Sequence, residues 1–165
     1  MPVPDEDLHG AAARLVALLS ARGLSAATAE SCTGGLAGAA ITSVPGASAV
    51  YPGGAVTYSN ALKEAMLGVP RAVLAEHGAV SAECAAAMAR GARLVTGADI
   101  AVSVTGIAGP DGGTPDKPVG LVHFAVACAD GVKCDKALFS GGRDDVRRKA
   151  AMHAIGLLTA AATPA

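Results

Sequence analysis

Ala26-Ala27-Thr28-Ala29-Glu30-Ser31-Cys32-Thr33-Gly34-Gly35-Leu36 holds the change of pattern on which the fold turns. A short β-type run over Ala26–Glu30 enters a turn of small and polar residues, and Leu36–Ser43 then reads as a helix ended by Pro45-Gly46. Upstream, Leu8, Ala12, Leu15 and Leu19 recur at helical spacing, with Gly23 as a stop. Downstream, Ala55–Tyr58 is predicted as a second strand. Asn60–Leu67 follows as a short helix, closed by Gly68 with Pro70 beyond.

Ser81 suits an N-cap for an Ala-rich helix over Ala82–Thr96, and Ile100–Val104 is a β-type run. Leu121–Cys128 and Val132–Phe139 are strand-like, joined through the hairpin signal Asp130-Gly131. A last helix is predicted from Arg143–Asp145 to about Leu158. Strands alternating with helices, then a hairpin, then a helix, predict an α/β fold with a mixed sheet covered by helices.

The chain has 165 residues, the size of a single domain spanning 1–165, with no repeat or linker to divide it. Hydrophobic residues make up 52% and charged residues 16%, which excludes a disordered tail. A formal net charge of −1 with interleaved signs excludes a broad footprint for nucleic acid or anionic membrane. No apolar run approaches the roughly 20 residues that span a bilayer, and Met1–Leu8 lacks a signal-peptide layout; the expected address is the cytoplasm. Cys32, Cys84, Cys128 and Cys134 form no C-x-x-C pair and read as reduced thiols, mostly core residues, rather than metal ligands.

Three segments oppose local stability. In Glu30–Gly35, with Gly38 one turn on, glycines cluster where a helix should begin, although each costs about 1 kcal/mol against alanine. Either they allow close packing on the sheet, or bare N–H groups at a helix start bind an anion or a developing oxyanion. In Thr57-Tyr58-Ser59-Asn60-Ala61-Leu62-Lys63, polar side chains gather between strand and helix. There Lys63 reads either as a solvated lysine or as a base, and Asn60 as a cap or a ligand contact. The third is Thr105–Gly113, where four glycines and a proline shape a loop that is either a tight turn or part of a site.

Ser31, Tyr58 and Thr105 each fall at or just past the carboxyl end of a predicted strand. In open α/β sheets ligands bind outside those ends. A serine needs a base, and no histidine lies in the three segments, so Lys63, assisted by Tyr58, is the candidate. G-x-S-x-G and S-x-x-K are both missing. A lysine base must have its pKa pulled well below about 10.4 by desolvation or a nearby cation. Cys32 is the rival nucleophile.

Taken with His77-Gly78-Ala79-Val80-Ser81 and Lys117-Pro118-Val119-Gly120, these segments resemble the CinA C-terminal domain family, the nicotinamide-nucleotide amidohydrolases. The likeness runs from about Leu8 to Leu158. It implies a three-layer α/β/α sandwich and hydrolysis of nicotinamide mononucleotide to nicotinate mononucleotide and ammonia. It also implies Ser31 as nucleophile, Lys63 as base, and Tyr58 and Thr105 close by. Thr33, Gly34, Gly35, Asn60 and Gly106 would shape the pocket, and Arg143, in a late segment that includes Arg147, would contact phosphate. The resemblance implies a homodimer and no metal or organic cofactor. The competing expectation is a sensor that binds a pyridine nucleotide or phosphate without turning it over.

Overall fold

Three strands leave the sheet edge on which the expected site lies, and all three run parallel. The structure, a computed structural model, describes residues 7–165. The segment 1–6, most of the stretch read above as lacking a leader pattern, lies outside the described residues. Five strands form one sheet in the order β2-β1-β3-β4-β5. They are β1 (Ala26–Glu30), β2 (Gly53–Val56), β3 (Ile100–Gly106), β4 (Leu121–Cys128) and β5 (Gly131–Leu138). β1 pairs in parallel with both β2 and β3, whereas β3–β4 and β4–β5 are antiparallel. The sheet is mixed, as expected.

Six helices cover it: α1 (Leu8–Arg22), α2 (Leu36–Thr42), α3 (Asn60–Leu67), α4 (Arg71–His77), α5 (Ala82–Thr96) and α6 (Arg143–Ala162). α1, α2 and α6 pack together on one face, and α3 and α4 pack on α5 on the other. The first face closes over Leu15, Leu19, Ile41, Val102, Phe124, Ile155 and Leu158. The second closes over Ala27, Ala29, Leu67, Met88 and Ala101. Each fully buried Leu or Ile contributes roughly 1.5–3 kcal/mol of transfer free energy. The alanines of the second face instead allow close approach, most tightly where a Cβ on Gly91 of α5 would collide with the Leu67 carbonyl at the end of α3.

Start and stop signals are visible in the caps. Gly23, Gly68 and Gly97 end their helices in the left-handed region, at φ of 64°, 65° and 71°. Ser81 caps α5 by accepting from the Cys84 N–H. Several boundaries differ from expectation. β2 is Gly53–Val56 rather than Ala55–Tyr58, because Thr57 and Tyr58 turn their carbonyls to a side chain described below instead of to a neighbouring strand. Ser59, not Asn60, caps α3. β3 runs on to include Thr105 and Gly106, which pair with His123 and Val122.

The hairpin turn is Ala129-Asp130, with Gly131 already in β5 and paired to Cys128. α6 extends to Ala162, held there by buried Leu158 and Ala162 against the first face. α4 was not foreseen: Pro70 stands at its N-cap, where its fixed φ and missing N–H do no harm. Only Cys32 and Cys84 are buried; Cys128 is half-buried and Cys134 exposed, so the core reading holds for two of the four.

Candidate functional site

The chain leaves β1 toward α2 on the first face and leaves β2 toward α3 on the second. Adjacent loops that diverge to opposite faces open a crevice at the carboxyl ends of the strands, the place where α/β sheets bind ligands. Ser31 stands on the first of these loops, and Lys63 on the helix that follows the second. Alternation along β1 puts Ala27, Ala29 and then Ser31 on the α3–α5 side, and Thr28 and Glu30 on the α2 side.

Lys63 is 1% exposed, the largest side chain so completely buried. Its Nζ lies 2.9 Å from Ser31 Oγ, 2.8 Å from the Thr57 carbonyl and 3.0 Å from the Tyr58 carbonyl. Among the described residues no carboxylate lies within ion-pair distance of it. Burial pulls its pKa below the ordinary lysine value, against the weaker opposing pull of the Cys84 and Cys32 thiols. A neutral amine has two N–H donors and one lone pair. Two carbonyls and one hydroxyl are the complement of that set, with the lone pair left for the Ser31 proton. An ammonium would be a buried charge with no counter-ion, a costly state.

The turn after Ser31 is built around its own carbonyls. The Ser31 N–H donates to Val104 O, and Gly34 N–H donates back to Ser31 O at 3.0 Å. Gly34 and Gly35 take φ of 61° and 102°, in the region that favours glycine. The N-terminus of α2 is not bare. The buried Glu30 carboxylate accepts from Ala37 N–H and Gly38 N–H at 2.9 and 3.0 Å. Among the described residues, the N–H groups of Thr33 and Gly35 have no protein acceptor. The buried hydroxyls of Thr33 and Thr57 are also without partners.

Cys32 is buried, and burial pushes its thiol up to about 11. At neutral pH it is therefore a protonated core thiol, a poor competitor for the nucleophile's role.

The other expected residues divide. Tyr58 contributes its carbonyl to Lys63, while its exposed ring sends the phenol to Arg143 Nη2 at 3.2 Å. Arg143 also donates to Gly109 O at 2.7 Å and so spans the crevice from the β3–β4 loop to Tyr58. Thr105 is buried, and its hydroxyl donates to Ala79 O at 2.8 Å. With Lys117 Nζ on His77 O, this braces the segment that leads into α5. Asn60 is exposed on the first turn of α3. A Cβ on Gly106 would run into Leu121 O and Val122, so the residue serves the β3–β4 contact.

Sequence reasoning gave little weight to Arg147, whose Nε and Nη2 donate to the Cys32 and Thr33 carbonyls at 3.1 and 3.2 Å. Its signal was the spacing of four from Arg143, which puts both on one face of a helix. A wide hollow lined by Arg93, Leu94, Cys128 and Val132 opens at the opposite end of the sheet. It holds no nucleophile beside a base.

Comparison with known proteins shows the family and the fold. The CinA C-terminal domain family profile matches residues 8–162. The chain belongs to this family. It is 56% identical over 144 residues to a CinA-like protein of Anaeromyxobacter dehalogenans (strain 2CP-C), covering 87% of this chain and 35% of that protein. To a CinA-like protein of Geobacter sulfurreducens it is 53% identical over 154 residues, covering 93% and 37%. The chain thus spans about a third of the length of these CinA relatives.

Among solved structures, the competence/damage inducible protein CihA from Agrobacterium tumefaciens superposes with a TM-score of 0.91. It shares 42% identity, with 97% of this chain and 98% of that one covered. A CinA superfamily protein from Escherichia coli gives a TM-score of 0.91 at 31% identity, covering 97% and 94%. As in those CinA structures, the layers form an α/β fold. No helix among the described residues is long and apolar enough to cross a membrane.

Proposed function

We propose that the chain is an amidohydrolase that converts nicotinamide mononucleotide to nicotinate mononucleotide and ammonia, with Ser31 as nucleophile and Lys63 as base. One observation carries this reading. A buried lysine with no carboxylate partner among the described residues holds its Nζ 2.9 Å from a serine hydroxyl at the strand ends. Burial supplies the depressed pKa that a lysine base requires.

In the first step the Ser31 proton moves to Lys63 Nζ as Oγ bonds to the carboxamide carbon. The carbonyl oxygen takes up the negative charge, and the N–H groups of Thr33 and Gly35, which have no protein acceptor among the described residues, receive it. Lys63, now an ammonium held by the Thr57 and Tyr58 carbonyls, protonates the departing amide nitrogen, and ammonia leaves. A water then attacks the acyl ester, with Lys63 again taking and returning a proton. The substrate's pyridinium ring withdraws electrons from the carboxamide, and a neutral resting amine does not repel this cation. In this reading Arg143, which bonds Gly109 O and the Tyr58 phenol at the crevice mouth, exchanges those partners for the substrate's phosphate. No step uses a metal or organic cofactor.

The test is ammonia release from nicotinamide mononucleotide by the purified chain beside its Ser31→Ala variant. Release by the first and not the second is the expected result. Binding without release would make the chain a nucleotide sensor instead. Nicotinamide, its riboside and the dinucleotide, run in parallel, define the substrate range.

A further inference from the structure

We infer that Arg147 is a positioning residue for the oxyanion donor, holding the peptide planes of the Ser31 turn so that the Thr33 N–H faces the reacting carbon. This rests on the reading of Ser31 as nucleophile. The argument starts from the peptide unit. It is planar and trans, so the carbonyl of one residue and the N–H of the next point in opposite directions. Whatever fixes the Cys32 carbonyl therefore aims the Thr33 N–H.

Arg147 fixes it. Its Nε donates to Cys32 O and its Nη2 to Thr33 O, so the guanidinium fork locks two successive peptide units at once. The direction follows from the layers. Arg147 stands on α6, packed with α1 and α2, while Lys63 comes from α3 on the opposite face. Carbonyls drawn toward α6 turn the intervening N–H away from it, to the side where Lys63 Nζ meets Ser31 Oγ.

Gly34 supports the same assignment. A Cβ there would come within 3.3 Å of Arg147 Nη2, so the glycine leaves room for the guanidinium to lie flat on the turn. The inner edge of the fork is spent on these carbonyls, and the outer nitrogen lies 4.0 Å from Asp144.

Losing one oxyanion donor lowers kcat by roughly 10²–10³-fold. Arg147→Lys and Arg147→Gln, which leave the donor present but unaimed, should lower kcat roughly 30- to 300-fold with KM changed by less than about threefold. Lysine does not rescue, because it lacks the fork. A second readout needs no turnover: pyridine-3-boronic acid, which forms a tetrahedral adduct on a serine, should bind the variants more weakly in proportion to kcat. Affinity for nicotinate mononucleotide, a planar carboxylate, should hold.

Unchanged kcat and boronate affinity in both variants would overturn the inference, as would a loss carried by KM alone or full activity in Arg147→Lys. If Arg147→Gln fails to fold, the lysine variant decides. A wild-type chain that releases no ammonia yet binds the boronate through Arg147 overturns the substrate and keeps the positioning role. One that does neither overturns both.

Discussion

Gly91 of α5 lies directly against the carbonyl of Leu67, four residues beyond Lys63 on α3. The backbone contact between these two residues sets the depth at which α3, and with it the Lys63 amine, docks on the second face. Gly91→Ala adds a methyl group where only backbone could yield. Helix propensity alone would favour alanine by about 1 kcal/mol, whereas overpacking costs about 1–3 kcal/mol and often more against rigid backbone. The expected outcome is a lower Tm together with a fall in kcat, measured by thermal melting and ammonia release. A Tm raised by the substitution would show that the helices do not meet this closely.

Lys63 governs the pH profile. Its folded pKa lies below the ordinary value of about 10.4. Activity should therefore rise with pH through that lowered value and level off earlier than the titration of a free lysine would allow. A rate profile whose midpoint matches that of a free lysine would mean an amine titrating as if in water.

Stability carries the same sign. Between the folded and ordinary values the unfolded chain binds the extra proton, so this group makes the fold more stable as pH rises across that window. Lys63→Met removes the base and should lower kcat at least about 10³-fold, within the range for a lost general base. The pH dependence of the Tm in that window should flatten with it.

Glu30 makes a second, separable prediction. Its buried carboxylate takes two N–H groups of α2. Glu30→Ala leaves both buried donors unpaired, at a cost of about 1–3 kcal/mol each. Denaturant titration should show the loss. Glu30→Gln keeps one acceptor oxygen and should fall between the two. Equal stability of all three chains would remove the carboxylate from the account of why α2 begins here.

Cys32 stands beside the nucleophile yet should be dispensable. With its thiol pushed up to about 11 by burial, the thiolate is scarce at pH 7. Cys32→Ala should keep most of the activity, and thiol reagents should label exposed Cys134 first without inhibiting. Rapid inactivation traced to Cys32 would reverse the choice of nucleophile.

The segments that betrayed themselves in the sequence did so through local chemistry. Glycine stops after α1, α3 and α5, a serine cap at Ser81 and the glycine cluster after Glu30 are all local signals. The loops carrying Ser31 and Tyr58 were legible as one site because strand ends gather ligands, and Lys63 because a serine needs a base and no histidine was at hand. What stayed hidden was decided at a distance. Glu30 on α2, Thr105 on Ala79 and Arg147 on the Ser31 turn join residues 7, 26 and more than 100 positions apart. No periodicity reports such pairs. Thr105 looked like a loop hydroxyl facing a ligand because β3 was read two residues short; within the strand, its side chain serves a wall instead.

The placement of the amine and the guanidinium on opposite covers of one sheet has a consequence for folding. A chain with only one cover docked holds either an unsupported serine turn or a lysine with nothing to deprotonate. Full-rate turnover is thus a report of complete assembly: molecules lacking the guanidinium's cover would be slow, and those lacking the amine's cover close to silent.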